Sequence, residues 1–262
     1  MPAATFSIGT QDDAAGADAR MTMTVFEPTD RPATSLAVVF HGRNGSGDAP
    51  HMVRLLRPYL RRGYRVVAPN LCGSDWNDSA GTGSDFTISM QVRDGRRALR
   101  WALEHAARAR WQIDRMALAG HSMGGYVASQ LAIGDLGGRL DHLMLVSTFT
   151  SGARQIEARR ALAPDALEVL ARELPKAATE WPRHDILPQA ARFTFPTAIL
   201  SGAKDRIVPA RNCKELFDLL PRGVCYIVMP EADHCMEGKT SEGFIAGALD
   251  VLEATVATVA TS

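Results

Sequence analysis

The chain has 262 residues, of which 46% are hydrophobic and 22% charged, a balance that folds as a globular protein rather than a disordered one. Lys plus Arg number 29 and Asp plus Glu number 29, so the formal net charge is +0, which excludes the long-range field of a nucleic-acid or anionic-membrane binder. No apolar run is long enough to span a bilayer, and the opening MPAATFSI has neither a basic nor an apolar leader pattern, so the expectation is a cytoplasmic protein without a signal peptide.

Residues 5–8 and 21–26 alternate apolar and polar side chains, which predicts an antiparallel edge hairpin. Residues 36–40 (LAVVF) form a continuous apolar run, the pattern of a strand buried on both faces of a parallel sheet. Helical spacing follows at 51–62, a second buried run at 64–68, and a long helix with an Arg-rich outer face at 90–109. Further strands are expected at 116–119, 143–146, 197–200 and 225–229, and helices at 122–131, 210–220 and 243–259. The fold class is therefore α/β: a mostly parallel eight-stranded sheet with helices on both faces. Residues 148–190 interrupt the alternation with two helical segments broken by Pro164 and Pro175. With six basic and six acidic residues this piece is evenly charged. It reads as a small cap over the end of the sheet, within one domain spanning 1–262.

Three strand ends carry chemistry. Gly120-His121-Ser122-Met123-Gly124 follows the strand at 116–119 and opens a helix. In that setting G-x-S-x-G is a nucleophile elbow, a sharp turn that presents the serine at a helix N-terminus. The alternative is a glycine-rich turn with an incidental serine. His41-Gly42-Arg43 follows the strand at 36–40, where one oxyanion donor normally arises; the other comes from the residue after the nucleophile. The backbone amides of Arg43 and Met123 are the expected pair, with His41 bracing the turn and the Arg43 side chain solvated. Asp205 sits on the loop after 197–200 and His234 on the loop after 225–229. The order Ser122, Asp205, His234 matches that of elbow hydrolases, with His234 as base and Asp205 as its orienting acid. Asp233 and Glu231 are the competing acids in sequence, and Asp205 is preferred because adjacent loop residues rarely reach one another's rings.

Cys72, Cys213, Cys225 and Cys235 show no paired spacing and read as free thiols in a reducing compartment. The seven histidines form no HExxH pair, and neither a phosphate-binding loop nor a dinucleotide fingerprint is present, so no metal and no cofactor is expected.

His41-Gly42, Gly120-His-Ser-Met-Gly-Gly125, Gly202-Ala-Lys-Asp-Arg-Ile-Val-Pro209 and Ala232-Asp-His234 together resemble the α/β-hydrolase superfamily. The similarity runs from about residue 33 to the last helix. It looks nearest to the monoacylglycerol-lipase, serine-aminopeptidase-like and small feruloyl-esterase branch, and Asp185-Ile-Leu-Pro-Gln189 fits it. The resemblance implies a serine carboxylesterase with no cofactor. Asp233 stands where the family usually has glycine, and the loop 70–81 is longer and more polar than the family's.

The fold and triad fix the class of chemistry but not the substrate. The evenly charged cap lacks the broad apolar lid of an interfacial lipase, which favours small or medium soluble esters and no membrane or nucleic-acid partner. Trp76, Phe86, Phe149 and Trp181 are candidate pocket residues, ordinary packing being the alternative. Arg154, Arg159 and Arg160 read as a solvated helix face, with contact to an acidic substrate as the alternative. The rival functions are a thioesterase acting on acyl-CoA or carrier-bound acyl groups and a non-catalytic ligand-binding member of the fold.

Overall fold

The computed structural model describes residues 1–9 and 20–260. Eight strands, β1 (Ala3–Ile8), β2 (Met21–Phe26), β3 (Ser35–Phe40), β4 (Tyr64–Pro69), β5 (Arg115–His121), β6 (His142–Val146), β7 (Thr197–Gly202) and β8 (Gly223–Met229), pair in the order β1-β2-β4-β3-β5-β6-β7-β8. The hairpin β1–β2 is antiparallel and β2 joins β4 antiparallel, while every later pair is parallel. This is the expected α/β architecture.

Each face of the sheet buries its own cluster. On one face, α1 (Pro50–Arg61) and α8 (Ser241–Ala260) pack Met52, Leu55, Ile245 and Leu249 against Val39, Ala119 and Leu200. On the other, α2 (Ile88–Arg108), α3 (Met123–Leu131) and α7 (Ala210–Leu219) pack Leu99, Val127 and Leu216 against Val38, Leu118 and Ile199. Two-sided burial is why the central strands are apolar at every position rather than at alternate ones. The run at 225–229 departs from this: β8 is the edge strand, mostly half-buried, with Val228 exposed. A run on the last strand has only one neighbour, so apolar continuity there does not report burial.

Residues 148–190 hold three α-helices rather than two: α4 (Gly152–Leu162), α5 (Ala166–Glu173) and the short α6 (Ala177–Glu180). The third begins just beyond Pro175, which ends one helix but suits the approach to the next. The segment is closed at its base by a bridge between Ser151 and Asp185 and by the bonds Gly152 N to His184 O and Ile186 N to Thr150 O. It is tied to the sheet's helices by Glu180, whose carboxylate accepts from the Ile88 and Ser89 amides at the N-terminus of α2.

Register positions the site. Phe40 lies opposite Gly120, His121 opposite Val146, Val146 opposite Leu200, and Gly202 opposite Met229. The loops after β3, β5, β7 and β8 therefore leave the sheet at one edge.

Candidate active site

Ser122 turns from β5 into α3 with φ 54° and ψ −122°, a region that a non-glycine residue occupies only when its surroundings hold it there. Its amide donates to the Val146 carbonyl and its carbonyl accepts from the Phe149 amide, each at 3.0 Å. The turn is too tight for side chains at its flanks. A Cβ on Gly124 would lie 2.2 Å from the Phe40 carbonyl oxygen, and one on Gly42 would lie 2.9 Å from the Ser122 Cβ.

Three sequence-predicted residues meet here. Ser122 Oγ lies 3.0 Å from His234 Nε2, and His234 Nδ1 lies 2.9 Å from Asp205 Oδ2. The Asp205 side chain is wholly buried, and its Oδ1 accepts from the Ile207 and Val208 amides, both at 2.8 Å. That fixes the carboxylate before the histidine reaches it. Asp233, the sequence neighbour of His234, instead accepts from the amides of Cys235 and Glu237 at 3.0 Å.

Arg43 and Met123 both line the cavity that contains Ser122. Met123 is the first residue of α3, where an N–H has no intrahelical acceptor. The Arg43 amide makes no hydrogen bond among the described residues. Two free donors and a helix N-terminus beside a hydroxyl suit an anionic oxygen. His41 braces this turn as expected: its Nε2 accepts from the Leu71 amide at 2.8 Å, so Nδ1 carries the proton and donates to the Gly42 carbonyl at 2.6 Å. Burial pushes the His41 pKa down to about 4, which keeps the ring neutral. The Arg43 side chain, expected to be solvated, reaches the cap and pairs with Glu173 of α5 at 2.7 Å.

Sequence reasoning missed two histidines. His121 is buried, donates from Nε2 to the His234 carbonyl at 2.7 Å, and packs its ring 4.9 Å from that of His234. His51 of α1 meets the His121 ring edge-on at 5.0 Å. Burial first, and then the neighbouring His234, hold both pKa values below the ordinary imidazole value. The only sequence signal was the position of His121 beside the elbow serine.

The cavity has a volume of about 590 Å³, within the range of roughly 300–1,000 Å³ that accommodates small molecules. Phe149 and Trp181, with ring centroids 5.9 Å apart, line its floor, and the exposed Trp76 stands at its rim. Phe86 is placed elsewhere. It is buried in the core cluster that holds Leu71 and Ile88 and is not among the residues that line the cavity; Gly73 of the loop 70–81 packs against it, a Cβ there lying 3.3 Å from the Phe86 Cα. That loop is held by side chains: Ser74 and Asn77 both donate to the Gly45 carbonyl. Among the described residues no group of three or more His, Cys, Asp or Glu could hold a metal ion, and no helix is long and apolar enough to cross a membrane.

The model of the alpha/beta hydrolase fold family matches residues 38–178, more than half of the chain. Among solved structures, the esterase Est1E of Butyrivibrio proteoclasticus, seen with ferulic acid bound, is 18% identical, with 93% of this chain and 97% of that one covered at a TM-score of 0.68. An esterase of Pyrococcus furiosus is 17% identical over 97% of this chain and 91% of that one, at a TM-score of 0.70. The alpha/beta hydrolase GrgF of Penicillium sp. sh18 is 14% identical over 98% and 100%, at 0.73. At these identities the shared feature is the fold. No curated protein matches the chain. The family match, together with this sheet order, places the chain in the alpha/beta hydrolase family.

Proposed function

We propose that the protein is a serine carboxylesterase that cleaves small or medium esters through an acyl-enzyme on Ser122, without a cofactor. In this reading it is one domain, with residues 148–190 as the cap, and it works in the cytoplasm. The free state of all four cysteines fits that compartment. The observation that carries the reading is the line from Ser122 Oγ through His234 to Asp205, opening on a cavity of small-molecule size.

Each group then has one task. His234 Nε2 takes the Ser122 proton as Oγ attacks the ester carbonyl, and the buried Asp205 carboxylate stabilises the imidazolium and holds its tautomer. The developing oxyanion rests on the Arg43 and Met123 amides. His234 returns the proton to the leaving alcohol, and the same base activates the water that frees the acid. His121, through its bond to the His234 carbonyl, positions the loop that carries the base.

The test is turnover of p-nitrophenyl acetate together with labelling by a fluorophosphonate. Ser122→Ala should fold normally, resist the label and lose activity by about 10⁶. Labelling elsewhere with full activity in Ser122→Ala would refute the assignment. Faster turnover of acyl-CoA than of the matching oxygen ester would move the assignment to a thioesterase.

A further inference from the structure

Arg159 lies on α4 and forms part of the cavity wall shared with Ser122. Its Nε is buried and has no hydrogen-bond partner among the described residues. Its neighbours on the helix are accounted for: Arg154 pairs with Glu215 and Glu157, and Arg160 is exposed. The acid that lines the same cavity, Glu173, is taken by the Arg43 guanidinium at 2.7 Å. Asp205 is sealed behind His234 with no exposed side-chain surface. The cavity therefore holds two guanidiniums against one accessible carboxylate, and Arg159 carries the surplus.

A guanidinium does not give up its proton at working pH, so burial cannot neutralise it as it neutralises a histidine. Leaving such a donor half-buried and unpaired is unfavourable unless an anion arrives to meet it. Burial, and after it the charge of Arg43, push the Arg159 pKa downward, and Glu173, which is paired with Arg43, only partly offsets them. On the cap side of the space Phe149 and Trp181 are apolar, the Gln155 amide donates to the Ile207 carbonyl and Glu173 is paired with Arg43, so the Arg159 guanidinium is the polar group there with no partner in any of the described contacts.

We propose that the cap side of the cavity is a subsite for a carboxylate on the substrate, and that Arg159 selects it. The inference rests on the ester-hydrolase reading above and narrows its substrate class to esters bearing a free carboxylate. A planar carboxylate matches the guanidinium fork in geometry as well as in charge.

The test uses two matched substrate pairs with wild type and Arg159→Ala. Mono-p-nitrophenyl glutarate against p-nitrophenyl valerate places the carboxylate on the acyl side. p-Carboxyphenyl acetate against phenyl acetate places it on the leaving side. The quantity read is the loss in kcat/KM for the charged ester divided by the loss for its neutral mate, after subtraction of the uncatalysed rate, so that any general effect of the substitution cancels. We expect a quotient of roughly 10 to 100 for one of the pairs, the size of a lost charge-assisted hydrogen bond. Quotients near one for both pairs overturn the proposal while Ser122-dependent turnover of neutral esters leaves the ester-hydrolase reading standing. If no ester is turned over, that reading fails and the subsite is decided by calorimetry with glutarate. Binding abolished by Arg159→Ala then supports it, and binding that is absent or equal in both proteins overturns it.

Discussion

Asp205 and Asp233 flank the same histidine, and the structure gives their carboxylates different partners. Asp205 Oδ1 is held by two amides and Oδ2 by the His234 ring, whereas Asp233 serves the backbone of its own loop. In Asp205→Asn the amide oxygen would keep the two backbone donors, which turns its NH₂ toward His234 Nδ1. Nδ1 must then accept, the proton moves to Nε2, and in the proposed mechanism His234 loses the lone pair that would take the Ser122 proton. The expected outcome is a fall in kcat of roughly 10⁴ with little change in melting temperature. Asp233→Asn keeps an acceptor for the Cys235 and Glu237 amides, and Glu231 is exposed, so Asp233→Asn and Glu231→Gln should stay within about tenfold of wild type. A dead Asp233→Asn beside an active Asp205→Asn, measured at one pH, would show that the orienting acid is misassigned. These candidates were legible because each follows an apolar run that ends at the same sheet edge. His121 was not, since its bond to the His234 carbonyl joins residues 113 apart in sequence and leaves no local pattern. Arg159 was read with its helix neighbours because α4 has almost no amphipathic pattern to show which face turns inward.

At the scale of elements, the strand β5, the elbow and α3 form one unit whose geometry depends on close backbone approach. A Cβ on Gly124 would sit 2.2 Å from the Phe40 oxygen and 2.4 Å from that of His41, and neither atom belongs to a side chain that could rotate away. Gly247, on the exposed face of α8, has nothing within 4 Å of where its Cβ would be. The same substitution should therefore have opposite signs at the two sites. Gly247→Ala should stabilise by about 0.5–1 kcal/mol through helix propensity. Gly124→Ala should destabilise by about 1–3 kcal/mol or more through overpacking and should also damage activity. Urea midpoints of both variants against wild type check this, and a neutral Gly124→Ala would show that the elbow tolerates a wider turn. Elements of this kind were readable where one periodicity governs them. Boundaries moved where a cap decides: α2 starts at Ile88 rather than near residue 90 because Thr87 accepts from the Met90 amide. Phe86 was misplaced for a related reason, since the polar loop 70–81 gives no pattern to show which aromatic it covers.

Over the whole molecule, the balanced charge seen in the composition conceals an asymmetry in where the histidines lie. His41, His121 and His142 are all buried, and burial depresses the pKa of each, to about 4 for His41, to about 3 for His142 and well below 6.5 for His121. In the unfolded chain these rings titrate near 6.5. Below that value the unfolded state takes up protons that the folded state refuses, so stability is complete above about pH 6.5 and declines as pH falls toward the depressed values. At pH 5 a ring shifted as far as His41 or His142 costs about 2 kcal/mol, so these two together take a large share of the stability of an ordinary domain, and His121 acts in the same direction. His142 isolates the effect, because it lies far from the proposed chemistry on β6, stacks on Tyr59 at 5.9 Å, and has neither ring nitrogen hydrogen-bonded among the described residues. His142→Phe keeps the ring and removes the titration. Relative to wild type, the variant should gain about 2 kcal/mol between pH 8 and pH 5, whatever its offset at pH 8. Urea unfolding of both proteins at the two pH values reads this difference directly, and carboxylates that titrate in the same range cancel between them. Equal losses in the two proteins would mean that His142 is protonated in the folded state or exposed in solution, and the acid sensitivity would then have to come from His41, His121 or the carboxylates.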